Sequence, residues 1–328
     1  MIENKLYPLK FTPILKEKIW GGRKLIDNYN RQTISGKLGE SWELSGYENE
    51  ESIVATGFLA GNNLIELVEI YMGDLIGDSV YDKFGLSFPL LFKLIDANDN
   101  LSIQVHPNDE VAAERHNSFG KTEMWYVADA GIDGTLTIGF KEDCSKETYL
   151  SALANDRVGD LLQTVPVKRG DVFFIPAGLV HAIGKGVVVA EIQESSDITY
   201  RIYDYKRKDK TGNERELHTE QALDVIDFSA SKQPKTAYTA LQNEVTPLVD
   251  CEFFTTNILR INKKIVRNYA KLDSFVTYMC LEGGFTINCQ GDKTAVNKGE
   301  TVLIPACIDE VELISDSDTT LLEVYIQI

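Results

Sequence analysis

The sequence predicts a mainly β protein made of two double-sheet jelly-roll units, with a few helices inserted in or flanking the N-terminal one. Three observations predict it. Leu101 to His106 alternates apolar and polar residues with period two, the signature of a half-buried strand. Lys168 to Gly184 reads as a Gly170-Asp171 turn, the apolar strand Val172 to Ile175, a Pro176-Ala-Gly178 turn and a returning strand that carries His181. That pattern then recurs: Lys168-Arg-Gly-Asp-Val-Phe-Phe-Ile-Pro-Ala aligns with Asn297-Lys-Gly-Glu-Thr-Val-Leu-Ile-Pro-Ala. Upstream, Trp125-Tyr-Val and Gly134-Thr-Leu-Thr-Ile align with Tyr278-Met-Cys and Gly283-Gly-Phe-Thr-Ile. A polar linker around Ser229 to Thr239, with Pro234, separates an N-terminal domain (1–235) from a C-terminal one (236–328).

At 328 residues the chain is long enough for two well-developed cores. A net charge of −17 argues against nucleic-acid and anionic-membrane partners, which need a broad basic surface. An anionic substrate then requires cations gathered locally. The first residues lack the apolar core of a signal peptide and no run approaches a membrane span, so a cytoplasmic protein is expected. Five cysteines without CxxC spacing suggest reduced thiols, with Cys251, Cys280, Cys289 and Cys307 read as core residues.

In chain order, Tyr7 to Ile14 reads as extended, and Gly21-Gly22 after Trp20 marks a turn. Gly39 to Gly46 alternates as a strand. Between Asn62 and Phe92 the pattern turns helical, with Leu64, Leu67, Val68 and Tyr71 at helical spacing. Trp20 and Trp42 read equally as core or rim aromatics and as ligand contacts. On the strand ending at His106, Ser102, Gln104 and His106 share one face while Leu101, Ile103 and Val105 share the other. Lys121 and Glu123 share a face of the following strand. A short helical piece is expected around Ser145 to Leu162. Glu191 and Gln193 share a face, and Asp197 and Arg201, four residues apart after a Ser-Ser turn, read as an edge hairpin with a surface ion pair. Lys206, Arg207, Lys208 and Lys210 read as a solvated basic loop. His116 and His218, in polar segments, are given no site role.

Gln104, His106, Glu123 and His181 combine two imidazoles, a carboxylate and an amide oxygen from three strands. Such a set suits Zn²⁺, Mn²⁺, Fe²⁺ or Co²⁺ and leaves positions for water or substrate. The turn, strand, Pro-x-Gly and His arrangement is the second half-motif of a cupin.

Taken together, Lys93-Leu-Ile, Leu101-Ser-Ile-Gln-Val-His-Pro-Asn-Asp, Lys121-Thr-Glu123, Pro176-Ala-Gly-Leu-Val-His181-Ala and Glu191, Asp197, Arg201 resemble a class I mannose-6-phosphate isomerase of the short bacterial type. Trp20-Gly and Glu40-Ser-Trp-Glu-Leu-Ser match the family's N-terminal pattern, so the resemblance covers roughly residues 5 to 210. It implies zinc held by Gln104, His106, Glu123 and His181, with other divalent transition metals as alternatives. It implies interconversion of mannose 6-phosphate and fructose 6-phosphate through a cis-enediol. Arg201, Lys121, Asp197 and Glu191 become the implied catalytic residues. Ser102, Lys93, Trp20 and Glu40 become the implied substrate contacts. The expected partner is a small sugar phosphate, bound by a monomer or homodimer.

The chain departs from the family in two places. Gly120 stands where many members carry a His before the lysine equated with Lys121. Only residues 124–180 separate Glu123 from His181, so the large helical insertion of longer members has no room, and the pocket is open there or closed by another element. In the repeat register His181 becomes Glu310 and Glu123 falls at Val276, so the C-terminal cupin is expected to lack metal ligands. The alternatives are another metal cupin, either a cupin-type glucose-6-phosphate isomerase or an Fe²⁺ oxygenase, and a non-catalytic sugar-phosphate sensor.

Overall fold

The computed structural model describes residues 5–33, 36–208 and 212–328. The chain begins with β1 (Leu9–Thr12), β2 (Ile14–Lys16), α1 (Lys24–Tyr29), β3 (Glu40–Tyr47), β4 (Glu50–Glu51) and β5 (Ile53–Val54). Three helices, α2 (Leu64–Tyr71), α3 (Gly73–Ile76) and α4 (Asp78–Phe84), precede β6 (Leu90–Ala97) and β7 (Ile103–Val105). Next come α5 (Asp109–His116), β8 (Glu123–Ala130), β9 (Thr135–Phe140), α6 (Lys146–Ala154) and α7 (Val158–Leu161). Five strands follow: β10 (Leu162–Pro166), β11 (Val172–Ile175), β12 (His181–Ile183), β13 (Val187–Glu194) and β14 (Tyr200–Tyr203). After α8 (Thr219–Val225) the rest is β: β15 (Val245–Asp250), β16 (Thr255–Ile261), β17 (Ile265–Asn268), β18 (Val276–Glu282) and β19 (Gly284–Cys289). It closes with β20 (Asp292–Asn297), β21 (Thr301–Ile304), β22 (Glu310–Ile314) and β23 (Thr319–Tyr325).

Two compact units emerge. The terminal unit comprises the stretch up to Ile14, Trp42–Phe92 and Ala237–Ile328; the central unit comprises Leu15–Ser41 and Lys93–Thr236. One break therefore falls within the expected linker. In the terminal unit a sheet of order β15-β16-β23-β18-β21-β1-β5 accompanies the sheet β17-β22-β19-β20. Apolar residues from both, among them Tyr278, Cys280, Ile287, Val302, Leu313 and Leu321, form one buried cluster. Period-two alternation explains this, because each strand turns one face inward and burying a large apolar side chain is worth about 1.5–3 kcal/mol. The remaining strands form the orders β10-β9-β12-β7-β14 and β11-β8-β13-β6-β3-β2. Ile95, Trp125, Val127, Ile138, Phe173 and Val189 meet in a second core.

Helix α2 starts where the sequence provides a capping box. Asn63 accepts from the Glu66 N–H while the Glu66 carboxylate accepts from the Asn63 N–H, and Leu64, Leu67 and Val68 are buried. Helical expectation extended to Phe92, but Leu90 to Phe92 lie in β6 and are buried as a strand. The Gly pair after Trp20 does more than turn the chain. A Cβ at Gly21 would lie 2.6 Å from the Gly39 nitrogen, because Gly22 and Leu38 exchange backbone hydrogen bonds there. The cysteines divide: Cys280 and Cys289 are buried, Cys251 is half-buried and Cys307 is exposed, since it follows the Pro305 turn rather than sitting within a strand.

The register bears out the internal repeat. Glu123 pairs with Ile175 and Trp125 with Glu191 in one copy; Val276 pairs with Ile304 and Tyr278 with Glu323 in the other. Glu323, fully buried, accepts from Arg267 Nε at 2.8 Å, Arg267 Nη2 at 3.0 Å, Asn257 Nδ2 at 3.0 Å and the Tyr269 hydroxyl at 2.5 Å. Burial works against the Arg267 charge, yet Glu323 holds its pKa above the usual value. Truncating one partner of a buried pair strands the other. Glu323→Ala is therefore expected to cost about 3–5 kcal/mol in urea-induced unfolding, and Glu310→Ala, at an exposed position, within about 0.5 kcal/mol.

Candidate active site

Cross-strand register assembles the site. His181 on β12 lies opposite Gln104 on β7, which lies opposite Arg201 on β14, so the three side chains share one face of their sheet. In the other sheet Glu123 pairs with Gln193, two residues beyond Glu191. His106, Glu123 and His181 each bring one ligand atom within 4.8 Å of the other two, and all three are buried. His106 and His181 Nε2 are 3.1 Å apart, and Glu123 lies 3.7 Å from the first and 3.5 Å from the second.

The tautomers follow from the partners. His106 Nδ1 donates to the Ile198 carbonyl and His181 Nδ1 to the Leu179 carbonyl, each at 2.8 Å. A carbonyl can only accept, so both protons sit on Nδ1 and both Nε2 lone pairs face the centre. Burial, then the nearby Lys121 charge, lowers both imidazole pKa values, His181 to about 3, so both rings are neutral. Glu123 Oε1 is buried without a hydrogen-bond partner. Two bare imidazole nitrogens and an unsatisfied carboxylate oxygen form a donor set that fits a divalent transition metal. The Gln104 amide reaches His181 Nε2 at 3.2 Å, and a half-turn of that amide presents its oxygen as a fourth donor.

Above this cluster lies a cavity of about 230 Å³. Its lining includes Trp20, Glu40, Lys93, Ser102, Gln104 and Lys121, together with Glu191, Asp197, Arg201 and two cations absent from the expected set, Lys18 and Arg215. Every expected substrate and catalytic residue therefore faces one space, whereas Trp42 is a buried residue of the terminal unit. Lys121 Nζ donates to His106 Nε2 at 2.9 Å and to Glu123 Oε2 at 2.5 Å, linking cavity to ligands. Lys93 Nζ donates to Gln193 Oε1 at 2.5 Å and pairs with Glu191 Oε1 at 3.2 Å. Burial opposes the Lys93 charge, but Glu191, Glu40 and Asp197 outweigh it and raise its pKa. Glu191 stays ionised because Lys93 and Lys121 overcome its burial, with Trp125 Nε1 donating at 2.8 Å. Glu123 is pushed the other way by burial and by Glu191. The chain is strongly acidic, yet five cations line this cavity against three carboxylates.

Three expectations need correcting. The segment after Tyr203 is not a free basic loop: Arg207 donates to Asp204 and to the Asn100 carbonyl, both at 2.5 Å, and Lys206 pairs with Asp156. Lys210 lies outside the described residues. His218 is half-buried and accepts from the Arg201 N–H at 3.0 Å, while its own N–H donates to the Arg201 carbonyl, so it fixes the backbone beneath a cavity residue. Asp197 and Arg201 form no edge ion pair; Arg201 Nη1 donates instead to the Glu216 carbonyl at 2.9 Å. Gly120 has a steric reason: a Cβ there would lie 2.6 Å from the Asp109 nitrogen, so a His cannot stand at this place without moving the backbone. Arg215 and Lys18 escaped sequence reading because neither sits in an alternating strand.

Residues 8–140 match the family model for the catalytic domain of phosphomannose isomerase type I, and residues 244–325 match that for the mannose-6-phosphate isomerase cupin domain. The mannose-6-phosphate isomerase of Streptococcus mutans serotype c is 37% identical over 302 residues, 92% of this chain and 93% of that protein. Mannose-6-phosphate isomerase ManA of Bacillus subtilis is 35% identical over 312 residues, 93% of this chain and 95% of that one. A crystal structure of mannose 6-phosphate isomerase from Bacillus subtilis has a TM-score of 0.87 at 30% identity, covering 98% of this chain and all (100%) of that one. Sheets, ligand cluster and matches define an isomerase built on cupin domains. The chain belongs to the type I mannose-6-phosphate isomerase family. None of its described helices is long and apolar enough to cross a membrane.

Just ahead of β8, Glu194 accepts from the Thr122 N–H at 2.7 Å, and burial, with Asp109 alongside, pushes its pKa up to about 8. The native state then holds a proton that the unfolded chain releases near pH 4.3, so this contribution to stability is full below that pH. It is lost as pH rises toward about 8. Chemical denaturation from pH 5 to 8 should show the wild type losing stability relative to Glu194→Gln, by up to ~1.4 kcal/mol per pH unit. A constant difference between the two would mean that Glu194 is ionised throughout.

Proposed function

We propose that this chain interconverts mannose 6-phosphate and fructose 6-phosphate through a cis-enediol, with a divalent metal, zinc by preference, held by Gln104, His106, Glu123 and His181. The observation that carries this reading is the convergence of two unprotonated imidazole nitrogens and a carboxylate oxygen without a hydrogen-bond partner at one end of a cation-rich cavity. Bound there, the metal supplies Lewis acidity toward the sugar oxygens.

The remaining roles belong to the chain's own side chains. Asp197, exposed on the cavity wall, takes the proton from C2 and returns it to C1, a role that needs a base close to the reacting carbons. Lys121 faces the oxygens where negative charge develops, and a preorganised cation in a dry site is worth far more than one in water, while Arg201 offers its guanidinium to the phosphate. Glu191 keeps Lys93 protonated and oriented, and both stay buried in the wall. Ser102, Lys93, Trp20 and Glu40 line the space for the sugar phosphate. Domain 236–328, without ligands at Val276 and Glu310, serves as scaffold. We place the reaction in the cytoplasm, carried out by a monomer or homodimer.

A coupled assay with mannose 6-phosphate, run before and after chelation and again with zinc added back, tests this. Turnover should vanish with chelator and return with zinc. His181→Ala should lose both bound zinc and activity, by at least about 10³-fold. Intact zinc and sugar-phosphate binding without turnover would replace the isomerase reading with that of a sensor.

A further inference from the structure

Arg215 was not expected at this site, and its surroundings suggest a specific task. It lies in the segment that follows β14, and its side chain reaches the same cavity as Arg201. Buried Asp204 fixes it on one edge: Arg215 Nε donates to Oδ2 at 2.7 Å and Nη2 to Oδ1 at 2.6 Å. The same carboxylate accepts from Arg207 Nη2 at 2.5 Å, and Arg207 Nη1 is spent on the Asn100 carbonyl. One carboxylate therefore serves two guanidinium groups, and Asp99, 3.7 Å from Arg207 Nη1, is exposed.

Arg201 adds a third positive charge. Its Nε is buried without a hydrogen-bond partner. Its charge is disfavoured first by burial and then by Arg215, with Arg207 adding to the effect and Asp204 opposing it. Three arginines around a single buried carboxylate, with Glu216 alone adding to it at Arg201, leave an excess of positive charge on this side of the cavity. A ligand of opposite sign placed here would offset that excess. A phosphate monoester carries up to two negative charges and three acceptor oxygens, and guanidinium forks match that geometry. Arg207, absent from the cavity lining, acts instead as a brace for Asp204.

We propose, resting on the isomerase reading above, that Arg215 is a specificity-determining residue that binds the substrate's phosphate together with Arg201, and that Asp204 positions it. The cations near the metal ligands, Lys93 and Lys121, are tied to Glu191 and Glu123 and so are committed to the reacting end. The arrangement divides the cavity: metal ligands and buried ion pairs at the sugar's carbonyl end, Arg201 and Arg215 at the phosphate end.

The test uses the zinc-loaded full chain. Inhibition by inorganic phosphate and the KM for mannose 6-phosphate are measured for wild type, Arg215→Met, Arg215→Lys, Asp204→Asn and Lys206→Met. Losing a charged bidentate partner should raise both constants about 10–100-fold in Arg215→Met. Arg215→Lys should recover part of that loss and Asp204→Asn should fall between the two. Lys206→Met, on the same segment but paired with Asp156 outside the cavity, should leave both constants unchanged. Equal small changes in Arg215→Met and Lys206→Met would overturn the proposal. So would a loss of kcat, zinc content and thermal stability with phosphate inhibition intact. Should Arg215→Met fail to fold, Arg215→Lys and Asp204→Asn carry the comparison, with unchanged phosphate inhibition in both overturning it. A wild type that turns over no mannose 6-phosphate, yet binds phosphate through Arg215 in calorimetry, would refute the isomerase reading and leave this one standing.

Discussion

The central unit buries Lys93, Lys121, Glu123 and Glu191 in an interior otherwise lined by Trp125, Val127, Ile138 and Val189. Taking such ions out of water costs several kcal/mol each, and the cost is tolerable only where each faces an opposite charge at hydrogen-bonding distance. Lys93 meets Glu191 and Lys121 meets Glu123, so the four charges cancel. That cancellation explains the state of the neighbouring rings. With the net charge already balanced, a protonated imidazole would be an uncompensated ion, and both histidines stay neutral with lone pairs inward. The chemistry open to the site follows from this balance.

The terminal unit shows what remains when the ligands go but the balance stays. Glu323 stands opposite Tyr278 as Glu191 stands opposite Trp125, and each carboxylate accepts from that aromatic partner, at 3.4 Å and 2.8 Å. Arg267 supplies the counter-charge in place of a lysine. Val276 takes the place of Glu123, and among the described residues no such donor set converges there. The buried carboxylate is thus a feature of the repeat itself, and the His106, Glu123 and His181 donor set was added to it or lost from it.

Much of this was legible in the sequence because strands write their faces in alternate residues. Gln104 and His106 were placed on one face from spacing alone, and Val172 to Ile175 followed from its bounding turns. The repeat could be aligned because turn residues recur at fixed offsets. What stayed hidden depends on chain reversals. Arg215 reaches the cavity only because the chain doubles back past Asp204, and Lys18 only through its pairing with Glu40. His218 looked like a surface residue because its ring and its N–H both tie to the backbone of Arg201, which leaves no mark in residue type. Gly120 looked like a departure from pattern until the approach of Asp109 gave it a reason.

Strand β1 pairs with β21, Leu9 opposite Leu303, and with β5, while β16, β18 and β23 complete the same sheet. The earliest strand of the chain is thus held by one of the last, with almost the whole sequence between them. A contact of that separation carries a large loop-closure cost and slows folding. During synthesis β1 has no β21 to pair with until nearly the whole chain has left the ribosome, and the sheet is complete only with β23, whereas Lys93–Thr236 has all its strands much earlier. An unfinished chain therefore exposes the edge of β1 to solvent, where it is open to mispairing with other strands. Catalytic parts and folding hazard lie in different segments, so substitutions in β1 are expected to change the yield of soluble protein more than the turnover of what folds.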